Sequence, residues 1–252
     1  MRHLFWIFVL MSTPVYPWGK TGHRVVGQLA YDHLAPASKQ KVHALLGQES
    51  LAEASVWGDR IRSDKLLMEQ YPMKHYLMED DLLNFSISQC TDSSHWHALC
   101  SIEVLTKTLK DKSKGILERQ RALKLLAHLV GDIHNPLHVC SKTNDCGQQQ
   151  RLKWFGSEVP LHEVWDARII ELEELSYTEY ATKLRSVTVT KELLSLPPQA
   201  WATESQAIRR QVEADSGQVK SAYDYSYVWL STVETRLVLA GLRLARLLDE
   251  AL

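Results

Sequence analysis

The stretch His128-Leu129-Val130-Gly131-Asp132-Ile133-His134-Asn135-Pro136-Leu137-His138 sets histidines and an aspartate inside an otherwise apolar run. Any fold that buries the run must satisfy those polar side chains as well. A second motif, His162-Glu163-Val164-Trp165-Asp166, repeats the pattern. His128 and Asp132 stand four residues apart, as do His162 and Asp166, and on a helix this spacing puts both side chains on one face about one turn apart. Two such pairs aimed from two helices can line a metal cavity. Imidazole nitrogen with carboxylate oxygen and no thiolate in the motifs favours zinc over iron or manganese.

Composition sets the setting for that cavity. The 252 residues and 45% hydrophobic content suit one large globular domain. Leu4 to Met11 form a short apolar run behind Met1, Arg2 and His3, too short to cross a bilayer and shaped like the core of a secretory signal peptide. Residues 1–17 are therefore expected to be a signal peptide, with export to the periplasm or the exterior and no membrane span, although Pro17 immediately before a mature Trp18 is unusual. Four cysteines, Cys90, Cys100, Cys140 and Cys146, suit an oxidising compartment and allow three pairings. Cys90 with Cys100 and Cys140 with Cys146 are favoured because each closes a short loop. A net charge of −1 supplies no global basic field for nucleic acid, so a phosphate-ester substrate needs positive charge concentrated locally, as bound divalent metal provides.

Helical periodicity dominates the chain. Val25, Val26, Leu29, Ala30 and Leu34 recur at helix spacing, and Pro36 opens a second helix that stops at Gly47. Ser50 reads as the N-cap of a helix carrying Val56, Trp57, Asp59 and Arg62. A less regular segment around Pro72 and the loop from Cys90 to Cys100 follows, then helices over about 102–110 and 117–134. Residues 139–160 are the exception, a small β-hairpin or loop insertion. Segments 161–174, 177–196, 199–213 and 227–251 read as helix, so the expectation is a single all-α, mainly helical domain over 18–252.

Trp18-Gly19-Lys20-Thr21-Gly22-His23, Trp57-Gly58-Asp59-Arg60-Ile61-Arg62, His75-Tyr76 and the two motifs above, in this order, resemble the S-one/P-one nuclease family. These are zinc-dependent, single-strand-specific type I nucleases and 3′-nucleotidases with a phospholipase C-like helical fold. The resemblance covers the mature chain and implies three zinc ions. Asp59, His75, His128 and Asp132 would hold one, His138, His162 and Asp166 a second. Trp18, through its α-amino nitrogen and carbonyl oxygen, would hold the third with His23 and the shared Asp132. A free amine is needed at Trp18, so export processing is part of the chemistry. The resemblance further implies Arg62 as the phosphate-contacting catalytic residue beside the bridging Asp132, and Tyr76 with Arg62 as substrate-binding residues. Single-stranded DNA, RNA and 3′-nucleotides are the implied substrates, and a monomer the implied state.

Three departures touch the substrate rim. Met78 stands where fungal members carry a base-reading acid, Gly147-Gln148-Gln149 replaces a Gly-Gly-Asn, and Pro160 replaces an Asn. His33, His43, His95 and His97 match no ligand position, and His134 suits an orienting role. Two rival functions share the metal floor: a zinc-dependent phospholipase C, and a secreted zinc-binding protein without activity. Asp166, where the phospholipases use Glu, and the five-residue step from Trp18 to His23 weigh against the former.

Overall fold

The computed structural model describes residues 18–72, 74–90, 97–143, 145–216 and 221–252, so the expected signal peptide lies outside the described residues. α1 (Lys20–His33) and α2 (Pro36–Leu46) follow the apolar period, with Pro36 in the first turn of α2 and Gly47 closing it at φ 64°. The single helix expected after Ser50 is broken into α3 (Leu51–Ala54), α4 (Trp57–Arg60) and a 3-10 turn at Ile61–Ser63. Ser50 does cap α3, its hydroxyl accepting from the Glu53 amide at 3.1 Å. The break falls at Ser55, whose hydroxyl is bound to the carbonyls of His23 and Ala52 and whose own carbonyl is taken by the His128 ring. A long-range demand for that carbonyl overrides local periodicity.

The segment without a clear period holds α5 (Lys65–Gln70), β1 (Leu77–Met78) and α6 (Glu79–Leu83). α7 (Ala98–Lys110) starts before the expected position because His97 caps it, Nδ1 accepting from the Cys100 amide at 3.4 Å. α8 (Ile116–His134) matches the expected span within a residue. The exception at 139–160 is as expected. β2 (Val139–Cys140) runs parallel to β1, Leu77 opposite Val139 and Met78 opposite Cys140. β3 (Arg151–Trp154) and β4 (Ser157–Pro160) make an antiparallel hairpin turned by Phe155 and Gly156, both at positive φ.

α9 (Leu161–Glu163) passes through a π turn at Val164–Arg168 into α10 (Ile169–Glu171). The single helix expected over 177–196 is instead α11 (Tyr177–Leu184) and α12 (Lys191–Ser195), because Val187-Thr188-Val189-Thr190 is a β-branched run that resists helix. α13 (Pro198–Asp215) and α14 (Ala222–Ala251) complete the chain, the latter capped by Ser221. The mainly helical architecture is as expected. Among the described residues no helix is long and apolar enough to cross a membrane.

α8 is the central element, packed by α7, α14, α1, α13 and α4. From Leu125 to His134 every residue of it is buried, so polar and apolar side chains alike point into protein. Its C-terminal carbonyls find partners in two other helices, as a buried helix end requires. Ser205 Oγ donates to the Ile133 carbonyl at 2.6 Å, and Arg236 Nε donates to the His134 carbonyl at 3.1 Å. Arg236 and Arg243 both donate to Glu204, at 2.6 and 2.7 Å, and Arg243 Nη1 lies 2.9 Å from His134 Nε2. Burial alone would raise the Glu204 carboxyl, but these hydrogen bonds outweigh it and hold the group below its ordinary 4.5. Its contribution is complete above about pH 4.5 and is lost as pH falls through the lowered value.

Glu204→Ala leaves two buried guanidinium groups unpaired and should cost about 3–5 kcal/mol of stability. Chemical denaturation of wild type and variant at neutral pH checks this. The difference between the two should shrink as the pH is taken below 4.5.

Candidate metal centre

Four parts of the chain converge on Asp132, which is wholly buried. α1 contributes His23, the α4 region Asp59, the segment before β1 His75, and α8 His128 beside Asp132 itself. His23 Nε2 lies 3.3 Å from Asp132 Oδ1, while His75 Nδ1 and His128 Nε2 lie 3.1 and 3.3 Å from Oδ2. Asp59 Oδ1 is 3.8 Å from His128 Nε2. Alongside, His162 Nε2 is 3.0 Å and His138 Nε2 3.5 Å from the Asp166 carboxylate, and His138 Nδ1 is 3.8 Å from Asp132. The ligand-type atoms thus form three groups: His23, His128 and Asp132; Asp59, His75 and His128; His138, His162 and Asp166.

The fit of these groups to metal rests on two observations. Tetrahedral zinc with N and O ligands at about 2.0–2.1 Å sets its ligands about 3.3–3.4 Å apart, a value inside the 3.0–3.8 Å spread seen here. More telling are the buried atoms left unpaired. Among the described residues His23 Nδ1 and Nε2, both oxygens of Asp59, Asp132 Oδ1, His138 Nε2 and His162 Nε2 have no hydrogen-bond partner. A buried unsatisfied polar group costs about 1–3 kcal/mol, so seven of them would cancel much of an ordinary domain's ~5–15 kcal/mol of stability. Cations between them would supply the missing partners.

The ring protonation is already set for that purpose. A carbonyl can only accept, so His128 Nδ1 donates to Ser55 at 2.8 Å, His138 Nδ1 to His75 at 3.0 Å and His162 Nδ1 to Cys146 at 2.7 Å. Each Nε2 lone pair is thereby turned toward the carboxylates. Burial keeps His128 well below its ordinary 6.5, hence neutral and able to ligate. For Asp132, burial would raise the carboxyl, yet the imidazoles of His128, His23, His75 and His138 gathered around it hold it well below the usual range. Asp59, which lacks such donors, is raised by burial.

Backbone crowding explains two glycines beside the ligands. A Cβ on Gly58 would stand 2.5 Å from the His128 ring, and one on Gly131 would stand 2.8 Å from His23 Nδ1. The His23 and His128 rings stack at 4.0 Å between these two backbones. Trp18 is wholly buried against the same floor, its indole N–H donating to the Gly131 carbonyl at 2.7 Å, while the next amide, Gly19, donates to the Asp166 carbonyl. Arg62 reaches Asp59 and His75, both at 3.3 Å, and remains partly exposed. Tyr76, half-buried, lies 5.0 Å from the His138 ring and 5.9 Å from His162.

All nine residues expected to bind metal are therefore brought together, with Arg62 and Tyr76 at their edge. Cys90–Cys100 and Cys140–Cys146 form the favoured disulfides. His33 and His43 are exposed surface residues, His97 caps α7, and His95 lies outside the described residues. His134 holds Arg243 rather than a ligand. Asp166 sits in a π turn rather than the plain helical turn its spacing predicts, a conformation that recurs at functional sites. Sequence reasoning missed Asn135, whose Nδ2 donates to Asp166 Oδ1 at 2.8 Å while Oδ1 accepts from the Leu137 amide. An asparagine directly before Pro136 and inside the ligand motif is the signal that pointed to it.

The profile of the S1/P1 nuclease family matches residues 18–252, the whole described chain from Trp18 onward. The chain belongs to this family. It is 26% identical to Endonuclease 2 of Arabidopsis thaliana over 96% of this chain and 93% of that protein. Identity to Nuclease S1 of Aspergillus oryzae is 25% over 87% and 75% of the two chains, and to Nuclease P1 of Penicillium citrinum 24% over 59% and 57%.

Gly58→Ala pushes a methyl group into the His128 ring, which His23 prevents from retreating. Metal affinity should fall about 10- to 100-fold, the range found when a ligand's support is disturbed. Chelator competition followed by metal analysis measures the loss.

Proposed function

We propose that this chain is an exported, zinc-dependent phosphodiesterase that hydrolyses single-stranded DNA and RNA to products bearing 5′-phosphates and also acts as a 3′-nucleotidase. The observation that carries this reading is the convergence of unpaired, buried imidazole and carboxylate atoms at three adjoining points, in a chain of the nuclease family. Three zinc ions would be held by Asp59, His75, His128 and Asp132; by His138, His162 and Asp166; and by Trp18, His23 and Asp132. Zinc, when bound, supplies Lewis acidity and lowers the pKa of water from about 15.7 toward ~7.

The chain's own residues do the remainder. Asp132 touches both the His23 and the His75–His128 groups, so its carboxylate would contribute to both of these ligand sets. The partly exposed Arg62 guanidinium can hydrogen-bond a phosphate oxygen as charge builds there. Tyr76 offers a ring face to a base, a contact worth about 1–3 kcal/mol and tolerant of sequence. Because the ligand atoms are buried, a phosphate reaches them only when its strand bends and unstacks, which a duplex resists. The buried seat of Trp18 beside Gly131 and Asp166 supports a mature terminus there, where a free α-amino group could ligate. The two disulfides support export to an oxidising compartment.

The decisive experiment is N-terminal sequencing and metal analysis of secreted protein, followed by release assays on single-stranded DNA, RNA, 3′-AMP and phosphatidylcholine. Expected are a Trp18 terminus, three zincs, turnover of the first three substrates, and loss of activity with chelator that zinc restores. Turnover of phosphatidylcholine alone would replace the proposal with a phospholipase, and full zinc without any hydrolysis would replace it with a binding protein. Separately, Arg62→Ala should lower kcat about 100- to 1000-fold, by analogy with removal of a transition-state donor, while the zinc content stays at the wild-type value.

A further inference from the structure

The turn that orients His162 differs from the supports of the other ligand histidines. Its carbonyl partner is Cys146, in a stretch where three consecutive residues take left-handed backbone: Asp145 at φ 50°, Cys146 at 56° and Gly147 at 79°. Two of the three carry side chains, which disfavour that conformation. Residues Ser55 and His75, which supply the other two carbonyls, have no positive φ. What holds the turn is covalent. Cys146 is bonded to Cys140, which lies in β2 opposite Met78 and two residues after His138. A continuous path therefore runs from the His138 backbone through Cys140, the disulfide and the Cys146 carbonyl to the His162 ring.

We propose that the Cys140–Cys146 disulfide is a positioning element of the His138, His162 and Asp166 pocket: it holds the left-handed turn whose Cys146 carbonyl fixes the ring orientation and tautomer of His162. This rests on the metal reading above. Without the crosslink the turn relaxes, the carbonyl leaves His162 Nδ1, and the lone pair of Nε2 is no longer aimed beside Asp166. Cys90–Cys100 has no such connection, since it joins the turn after α6 to the first turn of α7 and neither cysteine supplies a carbonyl to a ligand imidazole. Its removal serves as the control.

The test compares zinc stoichiometry and affinity, by chelator competition, for four versions of the mature full chain: wild type, Cys90→Ser/Cys100→Ser, Cys140→Ser/Cys146→Ser, and Cys140→Ser/Cys146→Gly. Serine is chosen because free thiolates would themselves bind zinc. The expected result is that one of three zincs weakens about 10- to 100-fold in Cys140→Ser/Cys146→Ser while two are retained, and that the control matches wild type. The glycine version, which accepts left-handed backbone without a crosslink, should recover part of the lost affinity. The His162 ring N–H resonance should broaden or vanish in the serine variant and return in the glycine variant. Wild-type affinity for all three zincs in Cys140→Ser/Cys146→Ser overturns the proposal. Wild type that binds no zinc overturns the metal reading itself, a distinguishable failure. Should the serine variant not fold, the folded Cys90→Ser/Cys100→Ser protein is reduced with a phosphine and its new thiols alkylated; release of one zinc is expected, and retention of all three overturns the proposal.

Discussion

The burial of the Asp132 carboxylate governs this molecule. An ionised carboxylate with no exposure, in the last turn of a helix packed on every side, is costly unless opposite charge and hydrogen-bond donors surround it. His23, His75, His128 and His138 all approach it, and each is buried in turn. Imidazoles alone do not complete the site, because Asp132 Oδ1 and both oxygens of Asp59 still lack hydrogen-bond donors among the described residues. Positive charge placed between these groups would complete the site. For such a site, metal binding and folding draw on the same free energy.

Much of the rest of the fold is support for that cluster. Three backbone carbonyls, from Ser55, His75 and Cys146, point the ring nitrogens inward, and Asn135 fixes Asp166. The end of α8 is held by Ser205 and by Arg236 with its partner Glu204, at the carbonyls of Ile133 and His134, so the helix is anchored immediately beside its ligand Asp132. Gly58 and Gly131 let the His23 and His128 rings stack in a slot that any side chain would fill. Precision at the centre thus comes from rigid elements whose own polar ends are satisfied elsewhere.

The long regular elements were legible because each has a strong local signal. Pro36 and Gly47 bracket α2, and the apolar period marks α8 to within a residue. Expectations failed where a distant group competed for the backbone or where local preference opposed the period. The helix after Ser50 ends at Ser55 because His128, 73 residues away, takes the carbonyl needed to continue it. The helix after Tyr177 ends near Leu184 because a β-branched run intervenes. Asp166 obeys the four-residue spacing to His162, yet reaches its place through a π turn that no spacing predicts.

By itself the sequence determined the chemistry available: imidazoles and carboxylates paired one helical turn apart, without thiolates, behind an apolar N-terminal run and a Trp-Gly pair. That much is local, since ligand type and helical spacing depend on residues within a few positions of one another. Family resemblance alone named His23, Asp59, His75 and Trp18 as their companions; the tertiary structure brings these into one buried floor and decides which nitrogen of His128, His138 and His162 faces inward. Tautomer and orientation are set by carbonyls from 16 to 73 residues distant. Such contacts leave no periodic mark in a chain, because they exist only once packing has brought the segments together.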